Sequence, residues 1–379
     1  MAEVKFDSDS RVSLSNADAG TGNTVVGYLA GDAIGSGDNF NTFIGHQVAD
    51  ANMTDAVQNT AIGYQAASAI TTGSGNNVIG YKAATALTTG SANIVIGGEA
   101  LDAADGDEDH NIAIGDSAMG AVNDDTSDFN VAIGTNALLG GTAAAIGNVA
   151  IGYQSLDATA GNAHTGTVAI GHKALTAQTA DAGAVAIGYQ AGLANQTGSK
   201  NVLVGYQTGI TFTDMDNTVL VGYEAGKLIS ANGADGTVAV GYKALTALTS
   251  GTGNVALGYQ ALKTNQDGDY NTAIGHQSLE TFEASSDGDG NNTAVGTNAL
   301  KALTNGQRNT VMGAFAADAI TMGTDNIAIG AHALGGATTT DNIAFNVAIG
   351  TYALDGFTTE LVASCIGIGY GAISGAIED

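Results

Sequence analysis

Twenty copies of one short phrase, N-x-A-I-G followed by Y-Q-A-L, run along almost the whole 379-residue chain and leave few folds open to it. Its glycine recurs from Gly27, Gly45 and Gly63 through Gly134, Gly152 and Gly241 to Gly369. First and last anchors lie 342 residues apart over 19 intervals, and single intervals run from 17 to 21 residues. Length above 17 reads as insertion into one loop of a fixed coil. A unit this short cannot bury a core alone, so each copy must stack on the next.

The residue before the anchor is Val, Ile, Leu or Met in every copy, as in Ile62, Ile151 and Ile187, and two places earlier stands Val, Ile, Thr or once Asn77. Between them comes mostly Ala, as in Ala61, Ala113 and Ala150. Alternation at period two with a β-branched bias predicts a strand. The larger residues are expected to point inward as the core stack, which puts the Ala face outside, where small side chains let another chain approach closely. Four places before the anchor stands Asn in 15 of 20 copies, including Asn59, Asn111 and Asn201, placed to bond up the stack or to close a turn. Directly after the anchor comes Tyr in 10 copies, among them Tyr64, Tyr189 and Tyr259, with His46, His172 and His276 in the same place. A stacked aromatic ladder follows, with Lys82, Lys173 and Lys243 at its edge. The expected fold is all-β: a parallel β-solenoid, or β-roll, of about 20 coils of 17–21 residues each, homotrimeric, with residues 1–22 as a cap or attachment segment and 23–379 as one repeat domain.

Composition narrows the function classes. Gly is 56 of 379, roughly twice the usual share, and Pro is absent, which argues against linkers and collagen alike. A net charge of -27 repels nucleic acid and anionic membrane surfaces. The single Cys365 excludes an intrachain disulfide and a thiolate zinc site. The opening MAEVKFDSDSRV has acids where a signal peptide needs bases, and no apolar run is long enough for a spanning helix.

NVAIG at Asn130–Gly134, NTAIG at Asn271–Gly275 and NIAIG at Asn326–Gly330 resemble the head repeats of trimeric autotransporter adhesins of the YadA-like type. The GYQAL and GYKAL continuations and the opening DSDSRVSLSNADAG are more similar still to repeat regions of marine bacteriophage tail-fibre proteins. The resemblance covers about residues 8–375. It implies a left-handed parallel β-roll assembled as a homotrimer. The adhesin unit is shorter, and this sequence shows no heptad stalk or membrane barrel, so the adhesin likeness is one of architecture.

No catalytic spacing stands out: neither a P-loop, a G-x-S-x-G elbow nor H-E-x-x-H is present, and an enzyme is not expected. No cofactor is expected, calcium excepted: Asp105, Asp107 and Asp109, then Asp287 and Asp289, alternate so that their oxygens could turn to one side, although such acids also serve simply as a solvated, charged loop. Scattered threonine pairs at Thr71, Thr88 and Thr358 hold no fixed place in the coil, which weakens an ice-binding reading. The longest intervals, Gly275–Gly296 and Gly330–Gly350, are expected to raise loops carrying Phe282, Glu283 and Phe345 toward a host glycan or protein. Together these readings predict a phage tail-fibre or virion-fibre protein, located in the virion or at an extracellular surface. A self-assembling filament or scaffold subunit and a bacterial surface adhesin are the alternatives.

Overall fold

The computed structural model describes residues 10–13, 20–158, 162–179, 183–230, 234–284, 290–336, 343–356 and 363–374, and no helix occurs among them. The chain divides into two compact units, Met1–Ala184 and Val185–Asp379. Each is a parallel β-solenoid in which one short strand per coil stacks on the same strand of the next.

In the first unit nine such strands run from Thr24–Tyr28 to Val168–Ile170. Like residues pair: Val131 with Val149, Ala132 with Ala150 and Ile133 with Ile151. Strand Ser10–Ser13 lies antiparallel on Thr24–Tyr28, opposing Val12 to Val26, and so occupies the first edge of the stack. In the second unit eleven strands run from Val185–Ile187 to Ile366–Ile368 in the same manner. Two smaller parallel pairs form at another corner, Ala145–Ile146 with His164–Thr165 in the first unit and Gly323–Thr324 with Ile343–Ala344 in the second.

The interior reverses one expectation. The Ala column points inward: Ala61, Ala113, Ala132, Ala150, Ala186 and Ala256 are buried. Ile62, Ile151 and Ile187, expected as the core stack, point outward, and Ile187 is 38% exposed. The physical reason is space. Two further inward columns already fill the lumen, one four residues after the anchor (Leu138, Leu156, Leu175, Leu245, Leu262) and one seven after it (Ile70, Leu87, Phe212, Ile229, Leu248), all fully buried. Volumes trade across the lumen where the Ala column carries something larger. Leu203 and Leu220 stand in coils whose facing residues are Gly209 and Gly226, and a Cβ on Gly226 would come within 2.8 Å of Leu220 Cδ1.

Corners are turned by left-handed residues. The second residue after the anchor, such as Gln65, Lys82 or Gln190, has φ near +55°, and the fourth, such as Leu138 or Leu245, near +47°. Non-glycine residues hold this region at a cost, offset here because every coil repeats the same backbone and bonds its neighbour through it, as when Gln65 N–H donates to His46 O at 2.9 Å.

The Asn column is buried and bonds in both directions. Asn130 Nδ2 donates to Ala145 O at 2.6 Å in the next coil, and Asn130 Oδ1 accepts from the N–H of Asn148 at 2.9 Å. Asn59, Asn111 and Asn201 do the same through Gly73 O, Ser127 O and Met215 O. Each side chain therefore satisfies a backbone acceptor and donor that a dry corner would orphan. Ladder bonding and local turn closure are one device here.

Candidate functional site

Strand alternation leaves three columns outside: the residues three and one before the anchor and the aromatic after it. The middle column is aliphatic in every coil, and in the second unit Leu257 is 46% and Met312 50% exposed. Ile94 and Ile327 add exposed aliphatics at the outer column, where Val131, Val149 and Val168 are half-buried. An unbroken sheet face of Ile, Val and Thr in contact with water is rare on a monomer and is the feature in most need of explanation. No charged residue stands in either aliphatic column.

Beside it run the aromatic ladders. Tyr28, His46, Tyr64 and Tyr81 stack in the first unit with ring centroids 5.0 to 5.4 Å apart. Tyr189, Tyr206, Tyr223, Tyr242, Tyr259 and His276 stack in the second at 4.9 to 5.3 Å. Lys82 and Lys243 place their ammonium groups 5.5 and 5.4 Å from the centroids of Tyr81 and Tyr242. Stacking covers ring faces and leaves mainly edges to solvent, whereas a sugar needs a face. Packing between coils is what this geometry serves.

Charged groups form ladders of their own. In the second unit Glu224 accepts from Lys227 at 2.6 Å and meets Lys243 at 3.4 Å, and Glu280 lies between Lys263 and Lys301 at 3.6 and 3.7 Å. The hydrogen bond from Lys227 holds the Glu224 carboxyl below its usual range, and Arg308 does the same for Asp325. Burial pushes Asp50, Asp102, Asp157, Asp318 and Asp355 above the usual carboxylate range. A carboxyl whose pKa is raised by folding adds stability below its unfolded pKa, near 4, and loses it as pH rises through the folded value. Glu224 and Asp325 act oppositely and lose their contribution only as pH falls through their lowered values. Proton loss from the raised set, together with the self-repulsion of a chain of net charge -27, lowers stability as pH rises out of the carboxylate range, so the thermal midpoint should be higher at about pH 5 than at about pH 7.5. A melt followed by circular dichroism at fixed ionic strength checks this; an equal or lower midpoint at the lower pH would count against these assignments.

The loop residues separate. Phe282 is 0% exposed and belongs to the inward column seven residues after the anchor, in register with Phe212, so it offers nothing to a receptor. Its shared spacing with Ile70, Leu87 and Phe212 was the available signal. Glu283 is exposed and accepts from Gln266 Nε2 at 2.8 Å. Phe345 is 59% exposed, but on a corner with φ +61°, in the same coil position as Phe40, Phe129 and Tyr270, and not on a raised loop. That exposed aromatic corner was missed in the sequence because Gly, Asn, Gln and Lys hold it in other coils. Asp109 is no free ligand: its Oδ1 accepts from Ser91 N–H at 2.6 Å, and its own N–H donates to Asp128 Oδ1 at 2.8 Å. Asp105 and Asp107 are exposed, while Asp287 and Asp289 lie outside the described residues.

Among the described residues no helix is long and apolar enough to cross a membrane. No protein-family model matches the chain, and no curated protein gives a significant match.

Proposed function

We propose that the chain is a structural, non-enzymatic fibre or appendage protein, a phage tail-fibre or virion-fibre subunit that assembles as a homotrimer through its aliphatic sheet face and presents its loops to a host surface. The exposed aliphatic face carries this reading. The five residues that carry the outward columns, from three before the anchor to one after it, span about 16 Å and coils repeat every ~4.8 Å, so each coil offers about 80 Å² of face. Nine coils in the first unit and eleven in the second then supply about 700 and about 900 Å², each close to the ~800 Å² per partner of a stable interface. A second copy is the natural occupant, because its own face has the same spacing and the same absence of charge. The trimer contact thus moves from the Ala face to the Ile face.

Self-association should respond to charge on this face while the coil does not. Ile133→Lys combined with Leu257→Lys places two cations in the dry contact and should cost about 2 kcal/mol or more per site in association. The β-type circular dichroism spectrum should survive, since both side chains already face outward. Persistence of the wild-type assembly in this variant would remove the face as the interface.

Burial of Phe282 takes away one expected receptor contact and favours a scaffold subunit as the second reading. A scaffold would use the same face but show no adsorption to host cells.

A further inference from the structure

The inner corner seven residues before the anchor holds small residues in most coils of the first unit: Ala56, Gly73, Gly90, Ser127 and Ala145. Glu108 stands in that column and is 0% exposed. Two other polar residues in the column serve the next coil. Asp38 Oδ1 accepts from Ala56 N–H at 2.8 Å while its Oδ2 accepts from Gly35 N–H, and Ser127 Oγ accepts from Ala145 N–H at 3.1 Å. Glu108, one methylene longer than Asp, does not make that bond. Its Oε2 accepts from Gly106 N–H at 3.1 Å, and its Oε1 is buried with no hydrogen-bond donor. Its main chain is pinned, since Glu108 O accepts from Asn93 Nδ2 at 2.7 Å. The carboxylate is thus held in place, dry and half-satisfied.

Around it stand further acids. One carboxylate oxygen each of Asp105, Glu108 and Asp125 lie within 4.8 Å of one another. Asp105 and Glu108 belong to one coil and Asp125 to the next. No ion pair reaches any of the three among the described residues. Three carboxylates cannot share such a space as anions without a compensating charge.

We propose that Asp105, Glu108 and Asp125 form a binding site for a hard divalent cation of the calcium class, clasping two successive coils. Oxygens on one ion cannot lie farther apart than twice the metal–oxygen distance, about 5 Å for calcium and about 4.2 Å for magnesium. The three oxygens, all within 4.8 Å of one another, are close enough to share one such ion, and a site of three protein carboxylates suits calcium because magnesium keeps most of its own waters. Glu108 is the buried anchor, and the two exposed aspartates close the site from solvent and leave room for water ligands. Burial, followed by the charges of Asp125 and Asp105, also pushes the Glu108 carboxyl above its usual range, which a bound cation would reverse.

Calorimetric titration of the full chain with calcium chloride, repeated with magnesium chloride at equal ionic strength, tests the site. One saturable calcium site is expected, at least about tenfold weaker in Asp125→Asn and in Glu108→Gln and unchanged in Asp107→Asn, the exposed neighbour outside the cluster. Calcium should also raise the thermal midpoint of the wild type more than that of Asp125→Asn, a readout that stands even if Glu108→Gln folds poorly. Diffuse attraction to the net charge of -27 would instead weaken binding slightly and equally in Asp107→Asn and Asp125→Asn. That outcome, or no saturable site at millimolar calcium, would overturn the proposal.

Discussion

Replacing one anchor glycine by alanine, Gly241→Ala, should destabilise its unit by about 3–5 kcal/mol, well beyond an ordinary glycine substitution. Gly241 has φ +138°, which L side chains rarely adopt, and its carbonyl neighbourhood leaves no room. A Cβ there would lie 2.3 Å from Gly258 O and 2.7 Å from Gly258 C, both backbone atoms of the next coil. A flexible side chain could swing away, but a backbone carbonyl fixed in the stack cannot move without opening the spacing between coils. The same contact recurs down the column, with Gly134 facing Gly152 and Gly313 facing Gly330. Gly147 is the matched control: its φ is +63° and nothing stands within 4 Å of an added Cβ, so Gly147→Ala should cost only about 1 kcal/mol. Thermal midpoints of the two variants compare them directly. Equal midpoints would mean that the close approach of coils at the anchor is wrong.

The second large effect is expected at Asn309→Ala. Asn309 Nδ2 donates to Gly323 O at 2.7 Å and to Asn292 Oδ1 at 2.9 Å, and its Oδ1 accepts from the N–H and Nδ2 of Asn326 at 3.1 and 2.9 Å. Alanine removes these bonds and strands a buried N–H and a buried carbonyl, at about 1–3 kcal/mol for each orphan. A loss of about 3–5 kcal/mol follows. Thr occupies the same column at Thr218, where the main-chain N–H still donates to Asn201 Oδ1 at 2.9 Å and Oγ1 donates to Asp216 O at 3.2 Å, so Asn309→Thr should keep the fold at a smaller cost. Because repeats melt as linked nearest neighbours, amide hydrogen exchange at Asn326 N–H is the sharper readout. Wild-type protection there in the alanine variant would show that the amide ladder is ornamental.

Much of this architecture was legible from spacing alone. Coil length, strand position, the buried Asn column and the stacked aromatics all follow from a repeat read against a period of two. Alternation says which residues share a face but not which face is inside. Here both faces are apolar, and the larger residues lie outward because Leu138, Leu156, Leu248 and Phe212 already fill the lumen. Summing the volumes of those columns would have left room mostly for alanine, with a larger residue only where a facing position is small, as Leu203 with Gly209. Phe282 was misplaced for the same cause, since its loop position concealed its register with Phe212. The cluster at Glu108 was half visible: Asp105 was a candidate, but Asp125 joins it from the following coil, and Glu108 carries no signal until its burial is known. Contacts between coils are set by register, which a search for alternating acids along one segment does not see.

The direct test of the account is the mass of the purified protein in solution, by sedimentation equilibrium at neutral pH. In the proposed assembly copies of the chain cover the exposed aliphatic face, and the homotrimer gives about three times the chain mass of 37.4 kDa, falling to 37.4 kDa in the Ile133→Lys, Leu257→Lys variant. A wild-type protein that sediments at 37.4 kDa across the accessible concentrations would contradict it.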